Sequence, residues 1–145
     1  MIRQLSEGDI ENELKILSEA ASAEGYHFVQ RSIEEWESRA NQFSHPGEIL
    51  LGYFIGSHIV GMCGLNIDPF SEENRTGRLR HLYTHPDFRK QGIAGQLVQS
   101  IIQNAGHYFT RIRLRTDNPI AERFYLKHGF QQVTEEDATH CLELN

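Results

Sequence analysis

The stretch LRHLYTHPDFRKQGIAGQLVQSIIQNA, residues 79–105, is the part of the sequence around which the rest is organised. Its first six residues favour a β-strand, and Pro86 with Asp87 ends that strand because proline lacks a backbone donor. A basic turn containing Arg89 and Lys90 follows. The stretch therefore predicts a strand, a basic glycine-containing turn and a helix, in that order.

The helix prediction comes from residues 93–105, where apolar side chains recur every three or four residues and Gly106 supplies a C-terminal stop. A helix leaves its first backbone N–H groups unpaired and carries about half a positive charge at its N-terminus. Since Gly92 and Gly95 lack Cβ atoms, a phosphate can approach this backbone closely. The turn thus predicts an anion site; from spacing alone, a solvated turn that only begins a helix fits equally well.

The length and composition of the chain predict one domain spanning residues 1–145. Hydrophobic residues make up 39% of the chain, as in globular proteins, and the net charge of −6 argues against broad binding to nucleic acid or to an anionic membrane. The N-terminus is too polar for a signal peptide, and no apolar run approaches the roughly 20 residues of a membrane span. We therefore expect a cytoplasmic protein with neither nucleic-acid nor membrane partners.

The cysteines and histidines give no sign of a metal site. Cys63 and Cys141 lie in strand-like runs without CxxC spacing, which predicts buried, reduced thiols. The eight histidines are scattered, with neither an HExxH motif nor ligand spacing beside a carboxylate. We accordingly expect no metal cofactor.

The N-terminal part of the chain is predicted to form helices and an antiparallel strand pair. Ser32 and Glu35 have capping-box spacing and begin the second helix. Gly56 and Ser57 fit a two-residue hairpin turn. The polar segment 68–77 is predicted mostly as a solvated loop. The expected elements are a strand over residues 2–5, helices over 6–24 and 32–43, and strands over 48–55 and 58–67.

The C-terminal part continues with alternating strands and helices. RIRLRT, residues 111–116, predicts a strand, and a helix follows Asn118 and Pro119 and ends at Gly129. Two short strand-like runs, FQQVT and THCLEL, finish the chain. The fold class is therefore mixed α/β (α+β), with a central, mostly antiparallel sheet, flanking helices and one right-handed strand–helix–strand crossover at the basic turn.

Two motifs together resemble the GNAT superfamily of acyl-CoA-dependent N-acyltransferases. RKQGIA, residues 89–94, is similar to its R/Q-x-x-G-x-G/A signature, in which Ala94 is a permitted replacement of glycine. NPIAERFYLKHGF, residues 118–130, resembles the N-x-x-A-x-x-F-Y-x-x-x-G-F element that follows the next strand in that family. Other phosphate loops fit worse, because GKS or GKT is absent and residues 92–95 are not GxGxxG.

The resemblance implies a GNAT-like fold in which a parallel strand pair is splayed around CoA. In the family, backbone N–H groups of the turn hold the pyrophosphate, the exposed backbone of the central strand pairs with the pantetheine arm, and the asparagine side chain contacts the cofactor farther along. The implied cofactor-binding residues are Leu82, Tyr83, Thr84, Arg89, Lys90, Gln91, Gly92, Ile93, Ala94, Gly95, Asn118 and Tyr125.

The implied activity is transfer of an acetyl group from acetyl-CoA, the CoA thioester co-substrate, to a primary amine of a small molecule or protein. Direct attack in a ternary complex requires the site to accept a proton, stabilise an oxyanion and protonate the leaving thiolate. Tyr125 matches the family tyrosine that faces the CoA sulfur and is the implied general acid, although helical spacing alone favours a core tyrosine. The alternative function is a non-catalytic acyl-CoA-binding or sensing domain.

The general base stays unassigned. Several family members carry a carboxylate near the start of the central strand, where this chain has Arg78. His81, whose usual pKa is near neutrality, Glu72, Glu73 and a water relay are the alternatives. In a strand without a bulge, His81 shares a face with Leu79 and points away from Arg78.

The acceptor is indicated only by Arg78 and Arg80, which suggest a carboxylate or phosphate beside the amine. These arginines fit a solvent-facing strand edge, or pairing with Glu72 and Glu73, at least as well. Aromatic residues near the presumed acceptor side fit the core better than a pocket: Trp36, Tyr26, Phe28 and the neighbouring His27. The sequence leaves the acceptor undefined and is compatible with a homodimer.

Overall fold

In the computed structural model, which describes residues 1–72 and 75–144, the chain forms a seven-stranded sheet in the order β1-β2-β3-β4-β5-β7-β6. Its strands are β1 (Ile2–Gln4), β2 (Ile49–Ile55), β3 (His58–Ile67), β4 (Thr76–Thr84), β5 (Arg111–Leu114), β6 (Gln131–Glu135) and β7 (Ala138–Glu143). The α-helices are α1 (Glu7–Glu11), α2 (Glu13–Ala23), α3 (Phe28–Glu37), α4 (Ile93–Ala105) and α5 (Pro119–Lys127), and a 3₁₀ turn covers Pro86–Phe88.

The sheet is antiparallel except where β4 meets β5, which confirms the predicted mixed architecture. The parallel pairing joins Thr76 to Arg111 and ends with Arg78 opposite Arg113. Beyond that point, residues 79–84 of β4 have no partner on β5. The two strands therefore diverge and open the sheet at this edge.

The helices cover both faces of the sheet. On β2, Leu51 packs with the helix α4 cluster, whereas its neighbour Leu50 packs with α1, α2 and α3. Adjacent residues of a strand point to opposite faces, so the two helix groups lie on opposite sides. Leu97 and Ile101 of α4 are fully buried, and each contributes about 1.5–3 kcal/mol through burial.

Local sequence signals located the later elements well and the first helices poorly. Helix α4 has the predicted bounds, whereas the predicted helix 6–24 is divided into α1 and α2 at Asn12 (φ −119°, ψ −84°). The prediction of a helix start at Ser32 was wrong. Ser32 is buried inside α3, and its Oγ donates to the carbonyl of Val29 at 2.8 Å. A serine hydroxyl can bond its own helix in this way as readily as it caps one.

Strand β4 begins at Thr76, earlier than predicted, and carries a bulge. On β3, Met62 lies opposite Tyr83 while Gly64 lies opposite Arg80, so one β3 residue faces two residues of β4. His81 sits at the bulge with φ 61°. The regular alternation expected for this strand therefore ends at Arg80.

Cys63 and Cys141 are both buried and free. Within the described part of the chain, no helix is long and apolar enough to cross a bilayer.

Candidate active site

The divergence of β4 and β5 opens a groove of about 540 Å³. Its walls come from residues 79–84 of β4, the end of β5 and the first turns of α5. A second cavity of about 660 Å³ adjoins it over the basic turn. Of the predicted site residues, Arg80, Leu82, Tyr83, Thr84, Arg89, Ala94, Asn118 and Tyr125 line the groove, and Lys90, Gly92, Ile93 and Gly95 line the adjoining cavity. Arg78 and Gln91 line neither of these two cavities.

The start of α4 presents open backbone to this space. Gly92 is the N-cap with φ 80°, and no side chain of the described residues caps the helix. A Cβ at Gly92 would have Gln96 Nε2 at 4.0 Å as its nearest neighbour, so the backbone there is accessible. Lys90 also has a left-handed conformation (φ 65°). The first N–H groups of α4 are thus available to an anion, and a phosphate fits the turn.

Gly95 has a different local role. A Cβ at this position would lie 3.1 Å from Cε1 of His128, a contact tighter than ordinary packing. The missing side chain therefore lets α4 approach the end of α5. Gln99 of α4 lies on the same interface, with its Nε2 3.1 Å from His128 Nδ1.

Arg89 is held at the edge of the turn by Glu24, a residue that sequence analysis missed. The guanidinium donates to both Glu24 oxygens, at 2.8 and 2.6 Å, and its Nε donates to the carbonyl of Thr84 at 3.1 Å. The hydroxyl of Tyr83 also donates to Glu24. Arg89, and then Tyr83, hold the pKa of the Glu24 carboxyl below its usual range. The sequence predicted a helix that ends at Glu24 and gave no sign that this residue belongs to a site.

Tyr125 belongs both to the core and to the groove. It is 7% exposed, and its ring contacts Phe124 and Phe130 at centroid distances of 5.3 and 5.6 Å. Burial, and then the nearby Cys63, raise the pKa of the phenol. Among the described residues its hydroxyl has no hydrogen-bond partner. Tyr125 is therefore a protonated phenol on the groove wall that is free to donate.

Asn118 lines the groove and caps α5. Its Oδ1 accepts from the backbone N–H of Ile120 at 2.8 Å and of Ala121 at 3.4 Å. This cap fixes the start of the helix that carries Tyr125. The Nδ2 group takes no part in the cap.

Arg78 forms part of a buried cluster of charged side chains. It lies 3.5 Å from Asp68 Oδ2 and donates to the carbonyl of Asp137 at 2.8 Å. The same Asp68 oxygen lies 3.0 Å from Arg113 Nε, and Arg113 also pairs with Glu135 at 3.0 Å. Asp68 is 1% exposed, and is therefore an exception in a segment that was predicted to be mostly a solvated loop. Two arginines from separate strands bury it.

His81 is largely buried beside Phe28, with the rings 6.3 Å apart and 10° from parallel. Its Nε2 is buried without a hydrogen-bond partner among the described residues. Burial, and then the charges of Arg80 and Arg31, lower the pKa of His81 to about 3. His81 is therefore neutral at physiological pH and a weak proton acceptor.

The other candidate bases lie elsewhere. Glu72 is exposed and lines none of the cavities described, and Glu73 lies outside the described residues. On the acceptor side, Tyr26 is 44% exposed and lines the groove with Phe28, so these two aromatic residues do more than fill the core. In the described part of the chain, no group of three or more His, Cys, Asp or Glu side chains is placed to hold a metal ion.

The chain is similar in sequence and in fold to known acetyltransferases. The acetyltransferase (GNAT) family model matches residues 14–130. The thialysine N-epsilon-acetyltransferase of Bos taurus is 30% identical over an alignment covering 97% of this chain and 89% of the relative. A crystal structure from Exiguobacterium sp. 255-15, of a protein designated provisionally as an acetyltransferase, is 27% identical with a TM-score of 0.86, covering 99% of this chain and 92% of that one.

A solved structure with a bound nucleotide shares the fold. The PaiA N-acetyltransferase from Thermoplasma acidophilum, in complex with coenzyme A, has a TM-score of 0.71 and 21% identity. The comparison covers 99% of this chain and 98% of that chain.

Proposed function

This chain belongs to the acetyltransferase (GNAT) family and is an acyltransferase, and from that premise we propose that it transfers an acetyl group from acetyl-CoA to a primary amine of a small molecule. The observation that carries the proposal is the groove between β4 and β5, which joins an uncapped helix N-terminus to a buried, protonated Tyr125. The name of the bovine relative specifies thialysine, a small-molecule amine, and this supports a small-molecule acceptor over a protein.

We assign the phosphates of acetyl-CoA to the turn of residues 90–95. The first N–H groups of α4 face this space without a capping side chain from the described residues, and Arg89 and Lys90 add positive charge. Leu82, Tyr83 and Thr84 lie on the part of β4 that has no β5 partner. Their free backbone groups suit the amide-bearing pantetheine arm.

In the proposed reaction, the acceptor nitrogen forms a bond to the acetyl carbon while the carbon–sulfur bond breaks. Tyr125 gives its hydroxyl proton to the departing thiolate and regains a proton from solvent. Its raised pKa keeps the phenol protonated until the thiolate forms. We assign no side chain as base, because His81 is a weak acceptor, and the ammonium proton passes to water in the groove. Holding both substrates in one groove supplies the proximity.

The test is thiol release from acetyl-CoA with a panel of amines, using wild type and Tyr125→Phe. We expect kcat to fall by about 10²–10⁴ in Tyr125→Phe, as for loss of a general acid, with acetyl-CoA affinity unchanged. Tyr108→Phe, at an exposed tyrosine outside the groove, is the matched control and should keep full activity. Wild type that binds acetyl-CoA but releases no thiol with any amine would instead be a non-catalytic binding domain.

A further inference from the structure

The cavity over the basic turn, of about 660 Å³, is lined by three cations and, within the described part of the chain, by no carboxylate. The cations are Arg89, Lys90 and Lys127. The whole chain carries a net charge of −6, so this concentration of positive charge does not follow from its average composition. A cavity lined by one sign of charge favours a ligand of the opposite sign, here one with several negative charges.

The three cations differ in the partners that they already have. Arg89 is paired with Glu24 and is therefore partly neutralised. The side chains of Lys90 and Lys127 make no hydrogen bond or ion pair with any described residue. Lys90 belongs to the turn before α4, and the phosphates assigned to that turn account for it. Lys127 belongs to α5 and has no such explanation.

Contacts between α4 and α5 place Lys127 beside the first two turns of α4. The ring of the next residue, His128, has its Cε1 3.1 Å from the position of a Cβ on Gly95, and its Nδ1 3.1 Å from Gln99 Nε2. From its N-cap, Gly92, to Gln99 the helix rises by about 10 Å. Burial, and then the charge of Lys127, lower the pKa of His128. His128 is thus neutral at physiological pH, and Lys127 is the cation at this end of the cavity.

Lys127 also lies in the last turn of α5, where the helix dipole favours a cation. That role concerns the helix alone and predicts no preference between ligands. An ammonium that faces an anion-binding cavity predicts such a preference. Ligand discrimination therefore distinguishes the two roles.

Acetyl-CoA carries a phosphate in addition to those on its main chain. Its pyrophosphate lies on the chain that leads to the thioester, whereas the 3′-phosphate branches from the ribose a few bonds away. A phosphate monoester carries nearly two negative charges at neutral pH. We propose that Lys127 binds the 3′-phosphate of acetyl-CoA and gives the enzyme its preference for acetyl-CoA over thioesters that lack this group. This inference rests on the proposed function and assigns a cofactor-specificity residue of the same site.

Calorimetry with CoA and 3′-dephospho-CoA tests the assignment, because the two ligands differ only in this phosphate. We expect wild type to bind CoA about tenfold more tightly than dephospho-CoA, as for a charge-assisted hydrogen bond. Lys127→Gln should bind CoA about tenfold more weakly and dephospho-CoA as well as wild type does, so that it no longer distinguishes them. Lys127→Arg should keep the preference, because it keeps the charge.

Two further variants serve as controls. Lys90→Gln should weaken both ligands by a similar factor and leave their ratio unchanged, because the pyrophosphate is common to both. Arg123→Gln, at an exposed position of α5 outside the two cavities, should change neither affinity.

Equal binding of CoA and dephospho-CoA by wild type, or an unchanged preference in Lys127→Gln, would overturn the inference and leave the proposed acetyl transfer intact. A preference that Lys127→Gln removes, in a protein that releases no thiol with any amine, would support the inference and contradict the catalytic function alone. Wild type that binds neither ligand would overturn both.

Discussion

The two halves of strand β4 each carry an arginine, but the two arginines have different surroundings. Residues 76–78 pair with β5, and Arg78 is neutralised there by Asp68. Residues 79–84 leave β5, bulge at His81 and present Arg80 without a partner among the described residues. The first half forms buried ion pairs with neighbouring elements, and these contacts stabilise the sheet. The second half has backbone groups without a partner on β5 and an arginine without an ion pair among the described residues. This is where we place both substrates.

The largest test of this contrast is a stability comparison between Asp68→Ala and Arg80→Ala. Removal of Asp68 leaves Arg78 and Arg113 as buried cations with reduced compensation, so the free energy of unfolding should fall by about 3–5 kcal/mol. Arg80 pairs with nothing in the described chain, and its removal should change that free energy by less than about 0.5 kcal/mol. Urea unfolding followed by circular dichroism measures both. Equal losses would mean that the two halves do not differ in this way.

Sequence periodicity located α4, α5 and the β2–β3 hairpin because their signals are local. It could not locate the partner of Asp68, since Arg113 lies on a different strand, far along the chain. The bulge at His81 is equally non-local, because it appears only in the register between β3 and β4. Helices and strands can be predicted from local sequence patterns, whereas buried charge pairs depend on how the strands are arranged in the fold.

The candidate site divides in the same way. The proposed phosphate-binding turn is one contiguous motif, so its glycines and its cations could be recognised together in the sequence. Glu24, which holds Arg89, lies at the end of a helix whose sequence carries no site motif. It joins the site only when α2 packs on the sheet.

The next test uses the pH dependence of stability to probe the burial of His81. This residue lies in the half of β4 that has left β5, residues 79–84, called here the open half. The folded-state pKa of His81 is lowered from 6.5 to about 3 by burial and neighbouring arginines. As pH falls below 6.5, the unfolded chain binds a proton at this residue and the folded chain does not, so stability is lost toward acid pH. The contribution of His81 should be about 2–3 kcal/mol between roughly pH 6.5 and 4.5.

The measurement is urea unfolding across this pH range for wild type, His81→Gln and the exposed control His107→Gln. The wild type and His107→Gln should lose stability more steeply toward acid pH than His81→Gln. Identical slopes in all three proteins would show that His81 is solvated, and the contrast between the two halves of β4 would weaken.

A smaller effect is expected where α4 begins beside the open half. Gly92 has φ 80°, so Gly92→Ala should cost about 1–2 kcal/mol of stability through its left-handed backbone. Gly56→Ala is a matched control, since that hairpin glycine has φ 61° and open space around it. Both variants should lose similar stability in urea unfolding, but only Gly92→Ala should raise the KM for acetyl-CoA. A rise in both would point to general destabilisation.

The smallest expected effect concerns Glu24, which contacts the open half of β4 before acetyl-CoA binds. Glu24 ties Arg89 and Tyr83 together, and the ion pair is partly exposed, with side chains 28% and 41% accessible for Glu24 and Arg89. Its contribution to stability should therefore be below about 1 kcal/mol. Glu24→Gln removes a negative charge beside the phosphate turn, so the KM for acetyl-CoA should fall a few-fold, and less at high salt because the attraction is screened. Glu34→Gln, on exposed α3 surface, controls for net charge. A raised KM would instead show that Glu24 holds Arg89 in its binding position. The conformation of the open half would then depend on its contact with the end of α2.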